Sequence, residues 1–249
     1  EIKTYASQCP KAGGIIHLGA TSMDALDNAD AVRFTEALTL TLKRLDDLVD
    51  ALSEKAEAYK NVPTMAFTHI QPAEITTIGY RLSQTLQDLL DDREQLVFVK
   101  KNIRGKGMKG AVGTAASYKE LVAESSVSSI ELENMVMEEL GIKAYDAATQ
   151  IYSRKQDLRI IEALSSIACS LHKFILDFRI LQSPPVGEFS EPFGKMQVGS
   201  SALPFKRNPI NSEKIDSLSR IVENAYQSAW NNAATTVLER SLDDSANRR

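Results

Sequence analysis

Apolar side chains recur in this chain at alternating spacings of four and three over long stretches. Leu38, Leu42, Leu45, Val49 and Leu52 form one such seam. Leu82, Leu86, Leu89 and Leu96 fit a second, and Ile161, Leu164, Ala168, Leu171, Ile175 and Phe178 a third. Ile215, Leu218, Val222, Ala225 and Ala229 make a fourth. This spacing turns one apolar stripe toward neighbouring helices packed at a shallow angle. The patterned stretches run for about 25 residues or more, against a usual helix of about 12. The expected fold is therefore all-α, an elongated helical bundle of long antiparallel helices. Stripes on several faces ask for more helices than one chain of this size supplies, so a homo-oligomer is expected.

The breaks in the pattern divide the chain. Asn61-Val62-Pro63 ends the first long helix. Gln71-Pro72 reads as the start of the second, because proline suits a first helical turn. Glycines from Gly105 to Gly113 close it. Ser183-Pro184-Pro185 opens a stretch with little periodicity, and such long loops are often functional. Pro209 leads the next helix. Few segments read as strands.

Composition narrows the function classes. The chain has 249 residues, 43% hydrophobic and 25% charged, enough for a sizeable core. Its net charge of -4 argues against a general nucleic-acid or membrane binder. No apolar run approaches the roughly 18 residues that span a bilayer. Cys9 and Cys169 are the only cysteines, which fits a reducing cytoplasm better than a disulfide framework. The chain opens on Glu1 without Met and stops at Arg249 without a closing element, so it reads as a fragment.

Several segments carry possible chemistry. Gly105-Lys-Gly107-Met-Lys-Gly110 matches G-x-G-x-x-G, but a long helix precedes it and no βαβ unit follows. Backbone turning is the better reading, not a nucleotide cofactor. His17, His69 and His172 show no metal-ligand spacing, so no metal is expected. His172 lies in a helical seam and reads as structural. His69, in Phe67-Thr68-His69-Ile70-Gln71-Pro72, could exchange protons near neutral pH or be a surface-loop histidine. Gly19-Ala20-Thr21-Ser22-Met23-Asp24 caps the first long helix or binds an anion there. The charged run from Glu239 to Arg249 is a solvated face or a phosphate site built on forked arginines. Gly199 to Pro209 holds two serines with Lys206, Arg207 and Asn208 ahead of a helix start. A serine hydroxyl acts as a base only where its alkoxide is stabilised, and cations with helix-start N–H groups could do that.

Gly199-Ser-Ser-Ala-Leu-Pro-Phe-Lys-Arg-Asn-Pro209 resembles the signature loop of the fumarase/aspartase superfamily, G-S-S-x-M-P-x-K-x-N-P, with Leu203 at the usual Met. Four other segments resemble the adenylosuccinate lyase branch of that superfamily. They are His17-Leu-Gly-Ala-Thr-Ser22, Phe67-Thr-His-Ile-Gln-Pro-Ala73, Gln150-Ile-Tyr-Ser-Arg-Lys155 and Leu242-Asp-Asp-Ser-Ala-Asn-Arg-Arg249. The five lie in the same order and cover nearly the whole chain.

The resemblance implies the central helical domain of the fumarase/aspartase-type fold over residues 1–249, with the terminal domains of the full enzyme largely missing. It implies a β-elimination without a cofactor, releasing fumarate from a nucleotide-bearing succinyl group. Ser200 would be the general base and His69 the general acid. Thr21 and Ser22 would hold the succinyl part, Lys206 and Asn208 would stabilise the charge that builds on its carboxylate, and Thr68 would contact the substrate. Gln150, Arg240, Ser245 and Arg249 would hold the nucleotide and its phosphate. Lys214 would bind where relatives can carry arginine, losing the planar fork. The implied partners are a small-molecule nucleotide and further copies of the chain, in a homotetramer with shared active sites; neither nucleic acid nor a membrane is expected. Two other readings stay open: a catalytically silent helical assembly fragment, and an argininosuccinate-type lyase.

Overall fold

The computed structural model describes residues 2–194 and 196–248. In chain order its elements are α1 (Ile2–Ser7), α2 (Ser22–Ala58), the strands β1 (Pro63–Thr68) and β2 (Gln71–Thr77), and α3 (Ile78–Lys101). The strand β3 (Arg104–Gly105), α4 (Ala116–Leu121), α5 (Ser129–Glu139) and the strand β4 (Lys143–Ala144) follow. The chain then runs through α6 (Lys155–Gln182) and α7 (Ile210–Thr235). The long helices expected from the seams are present: α2 has 37 residues, α3 24, α6 28 and α7 26. Among the described residues no helix is long and apolar enough to cross a membrane.

One boundary differs from the expectation. Pro72 does not start a helix; it lies in β2, which pairs antiparallel with β1, and α3 begins only at Ile78. The run Ile75-Thr76-Thr77 is β-branched and favours extended backbone. Pro72 is tolerated because each strand of a two-stranded ribbon has an open edge, where a missing N–H costs little.

Two compact units divide the chain. One comprises Leu42–Val97 and Ile160–Ser228. In it Leu45 and Leu52 of α2 and Leu82 and Leu89 of α3 form a buried core, flanked by Ile167, Leu171 and Phe174 of α6 and by Phe189. Burying one such side chain stabilises by roughly 1.5–3 kcal/mol. Polar contacts fix the helix directions. Gly79 N–H at the start of α3 donates to the Tyr59 carbonyl oxygen just past the end of α2, while Arg93, late in α3, pairs with Asp46. Buried Asp92 of α3 accepts from Ser166 and Ser170 of α6, and Lys173 reaches back to Gln84. Arg179 near the end of α6 pairs with Asp216 near the start of α7. The helices therefore alternate in direction, as expected.

The other unit takes residues 2–41, 98–159 and 229–248. Its centre is polar. Asp24 of α2 pairs with Lys106, accepts from Tyr118 Oη at 2.9 Å and from Gly110 N–H at 3.2 Å. Asn28 exchanges hydrogen bonds with the backbone of Gly107. Lys109 pairs with Glu133 of α5 at 2.7 Å. The glycine-rich segment is thus wrapped around these side chains, with Gly107 and Gly110 at φ of 84° and 71°. The reading of this segment as backbone turning is borne out by that geometry. Lys106 is 0% exposed, so its charge is committed to Asp24 and not offered to a ligand. Burial pushes its ammonium pKa down, against the pull of Asp24.

Candidate active site

Segment 183–209 links α6 to α7 and carries Ser200. Its base is pinned. Glu188 N–H donates to the Leu181 carbonyl oxygen at 2.9 Å, and Phe189 packs against the leucine core. Glu191 accepts from the N–H and hydroxyl of Ser212 at 2.7 and 2.6 Å, and from the N–H and amide of Asn211 at 3.2 Å each. Partial burial works against the Glu191 carboxylate, but these donors hold its pKa below the usual range.

Within the segment, Ser200 Oγ accepts from the N–H groups of Ala202 at 3.3 Å and Leu203 at 3.2 Å. These donors belong to the loop itself, not to the start of α7 as expected from the sequence. The first free N–H groups of α7 are taken by Glu191, so the serine is served by its own loop. Asn208 Nδ2 donates to the Gly199 carbonyl oxygen at 3.3 Å and closes the loop on itself. A Cβ at Gly199 would collide with the Lys206 carbonyl oxygen, which explains the glycine. Arg207 stacks over Phe193 at 5.1 Å. Lys206 is exposed and makes no side-chain hydrogen bond among the described residues. Lys214 is exposed on the first turns of α7.

His69 sits at the tip of the β1–β2 hairpin, not ahead of a helix start as the sequence reading had it. Thr68 pairs with Gln71, so His69 and Ile70 form the whole two-residue turn. Both have positive φ, 54° and 59°. That is the twist of the favoured hairpin turn, which normally takes Asn-Gly. A β-branched residue there costs of order 1–3 kcal/mol of strain, which the surroundings must hold. Thr68, His69 and Ile70 are all exposed. His172 is part-buried in α6, and His17 lies in the turns ahead of α2.

The remaining candidates belong to the other unit. Thr21 and Ser22 stand at the start of α2. Thr21 N–H donates to the Asp24 carboxylate at 3.0 Å, and Asp24 N–H donates to the Thr21 carbonyl oxygen at 3.0 Å; among the described residues neither the Thr21 nor the Ser22 hydroxyl makes a capping hydrogen bond. Gln150 and Arg240 line one cavity of ≈ 500 Å³ with Ala111, Val112, Leu238 and Leu242. Arg240 Nη2 donates to Ser245 Oγ at 3.1 Å, while among the described residues its Nη1 is buried without a hydrogen-bond partner. A guanidinium N–H left unpaired beside an open cavity is a ready donor to an anion. The structure therefore brings Gln150, Arg240 and Ser245 together. Arg249 lies outside the described residues.

Residues not singled out from the sequence hold these motifs in place. Buried Arg154 joins Asp27 at 3.0 Å and Asp244 at 2.6 Å. Arg248 donates to Asp157 and to Tyr152 Oη, and Tyr152 Oη donates to Asp157. The segment from Gln150 and the segment from Leu242 are thus one polar assembly. A signal existed: Asp24, Asp27 and Asn28 continue the buried face of α2 where leucines would be expected. Among the described residues no three His, Cys, Asp or Glu side chains gather so as to hold a metal ion.

A family model described as lyase matches residues 2–223, and the chain belongs to that family. It is 42% identical to the adenylosuccinate lyase of Schistosoma mansoni over 250 residues, covering 100% of this chain and 52% of that protein. It is 39% identical to the adenylosuccinate lyase of Saccharomyces cerevisiae, covering 100% of this chain and 51% of that protein. The solved 3-carboxy-cis,cis-muconate lactonizing enzyme of Pseudomonas putida superposes with a TM-score of 0.84 at 27% identity, over 97% of this chain and 52% of that one. The chain spans about half the length of the curated relatives it matches.

Proposed function

We propose that the protein is a carbon–nitrogen lyase that eliminates fumarate from adenylosuccinate, leaving AMP, and from the succinyl-aminoimidazole-carboxamide ribotide of purine nucleotide synthesis. The observation that carries this reading is Ser200 Oγ held under two backbone N–H groups in the intact loop. Those donors favour the alkoxide, so Ser200 takes the proton from the carbon beside a carboxylate. The charge that builds on that carboxylate meets Lys206, Asn208 and loop N–H groups. The carbon–nitrogen bond then breaks, and His69 protonates the departing nitrogen. Gln150, Arg240, Ser245 and Arg249 hold the nucleotide and its phosphate; Thr21, Ser22, Thr68 and Lys214 complete the substrate contacts. The described chain acts as the central helical part of the enzyme, which works in the cytoplasm.

His69→Gln in the full-length protein is expected to lower turnover by roughly 100-fold or more, as for loss of a general acid. Steady-state assays on adenylosuccinate and argininosuccinate decide the substrate. Cleavage of argininosuccinate alone would point to the argininosuccinate-type reading, and cleavage of neither to a silent assembly fragment.

We also propose a homotetramer that shares its active sites. The exposed apolar residues of α7, among them Leu218, Ile221 and Trp230 at 54, 65 and 48% exposure, support it. Sedimentation at micromolar concentration is expected to give a single tetrameric species; a stable monomer there would end this part of the proposal.

A further inference from the structure

The turn that presents His69 is strained, and little of its own packing holds it. Ile70 and Ile75 of the hairpin are 72 and 79% exposed. The contacts that do hold it converge on one carboxylate. Glu188, six residues beyond the end of α6, accepts from Thr64 Oγ1 of β1 at 2.6 Å. Its other oxygen pairs with Arg81 of α3. Arg81 in turn donates through Nη2 to the Met65 carbonyl oxygen of β1. Both partners of the ion pair are only 20% exposed, so the pair is shielded and its charge-assisted bonds are strong. Glu188 is itself held, by its N–H on Leu181 and by Phe189 in the leucine core. Neither Glu188 nor Arg81 lies in the five motifs, and the proposed reaction uses neither.

We propose that Glu188 is a positioning residue for His69. It ties β1 to α3 and to the base of the segment that carries Ser200, and so fixes where the imidazole stands. The inference rests on the reading of His69 as the general acid. Glu188→Gln keeps an acceptor for Thr64 but leaves Arg81 without its counter-charge. The hairpin then loosens, and the acid is delivered off its line. Misplacement of this kind acts on kcat, because substrate binding does not depend on the proton being in place.

The test is a double-mutant cycle in the full-length protein, with amide hydrogen exchange as a second readout. Glu188→Gln alone is expected to lower kcat about 10-fold, with KM changed much less. On a His69→Gln background the same substitution is expected to change kcat by less than about twofold, since it acts through the missing imidazole. Exchange across residues 63–77 is expected to speed up in Glu188→Gln, while α6 keeps its protection. Thr64→Val, which removes one hydroxyl contact, is expected to move both readouts the same way by less, and serves if the glutamine variant folds poorly. An equal loss of kcat on the His69→Gln background, or unchanged exchange over 63–77, would overturn the proposal while leaving the lyase reading intact. Parent-like turnover in His69→Gln alone would overturn the acid assignment and this proposal together.

Discussion

Replacing Ser200 with alanine is expected to lower kcat of the full-length protein by about 100-fold or more, with KM changed far less. The alanine keeps the backbone that Ala202 and Leu203 occupy, and removes only the oxygen under their N–H groups. Those two bonds admit a different explanation, a local turn that orders the loop. The two explanations separate on kinetics. A lost turn contact loosens the loop and weakens binding, so KM rises and a good share of kcat survives. A lost base leaves binding intact and removes the acceptor for the proton. Ser201, exposed and without a side-chain hydrogen bond among the described residues, provides the control, and Ser201→Ala is expected to cost much less. Single-turnover measurement on adenylosuccinate reads the chemical step directly. Ser200→Ala turning over at the parent rate would remove the base assignment.

Arg154→Ala is expected to lower the unfolding free energy by about 3–5 kcal/mol, the usual cost of stripping the partner from a buried ion pair. Asp27 and Asp244 are 0% and 2% exposed, and neither can recover the lost cation from solvent. Arg248 stands 4.0 Å from Asp27 and is already engaged with Asp157. Urea unfolding should show an earlier midpoint at unchanged slope. The effect should depend on pH in a defined direction. Burial already pushes the Asp27 carboxyl pKa up, against the pull of Arg154 and the Tyr152 N–H. Removing Arg154 raises it further, so the folded variant binds protons more readily than the unfolded chain. Its stability then rises as pH falls, and the deficit against the parent is largest near neutral pH. Arg154→Lys should recover part of the loss, since it keeps the charge but serves two carboxylates poorly without the fork. A deficit below about 1 kcal/mol in Arg154→Ala would show that the pair is not load-sharing in the way its burial implies.

The same assembly clarifies the motif from Leu242. Its Asp244 and Arg248 turn inward to Arg154, Tyr152 and Asp157, while Leu242 lines the cavity beside Arg240 and Ser245 accepts from Arg240. A run of charges in sequence does not distinguish these two groups, because inward and outward residues alternate only once the partner segment is in place.

The sequence by itself determined the long helices, most of their ends and the loop that carries Ser200. Helical spacing is a local property: every third or fourth apolar residue faces one way whatever lies opposite. Pro209 and the glycines from Gly105 likewise act within a few bonds. The tertiary structure decided where His69 stands and what charges sit in the core. The β1–β2 hairpin needs Arg81 and Glu188 to hold a turn that its own residues disfavour. The buried face of α2 accepts Asp24 and Asp27 because Lys106 and Arg154 arrive from far along the chain. A carboxylate in a seam reads as a defect until its cation is seen, since burying it is unfavourable alone and tolerable only once paired.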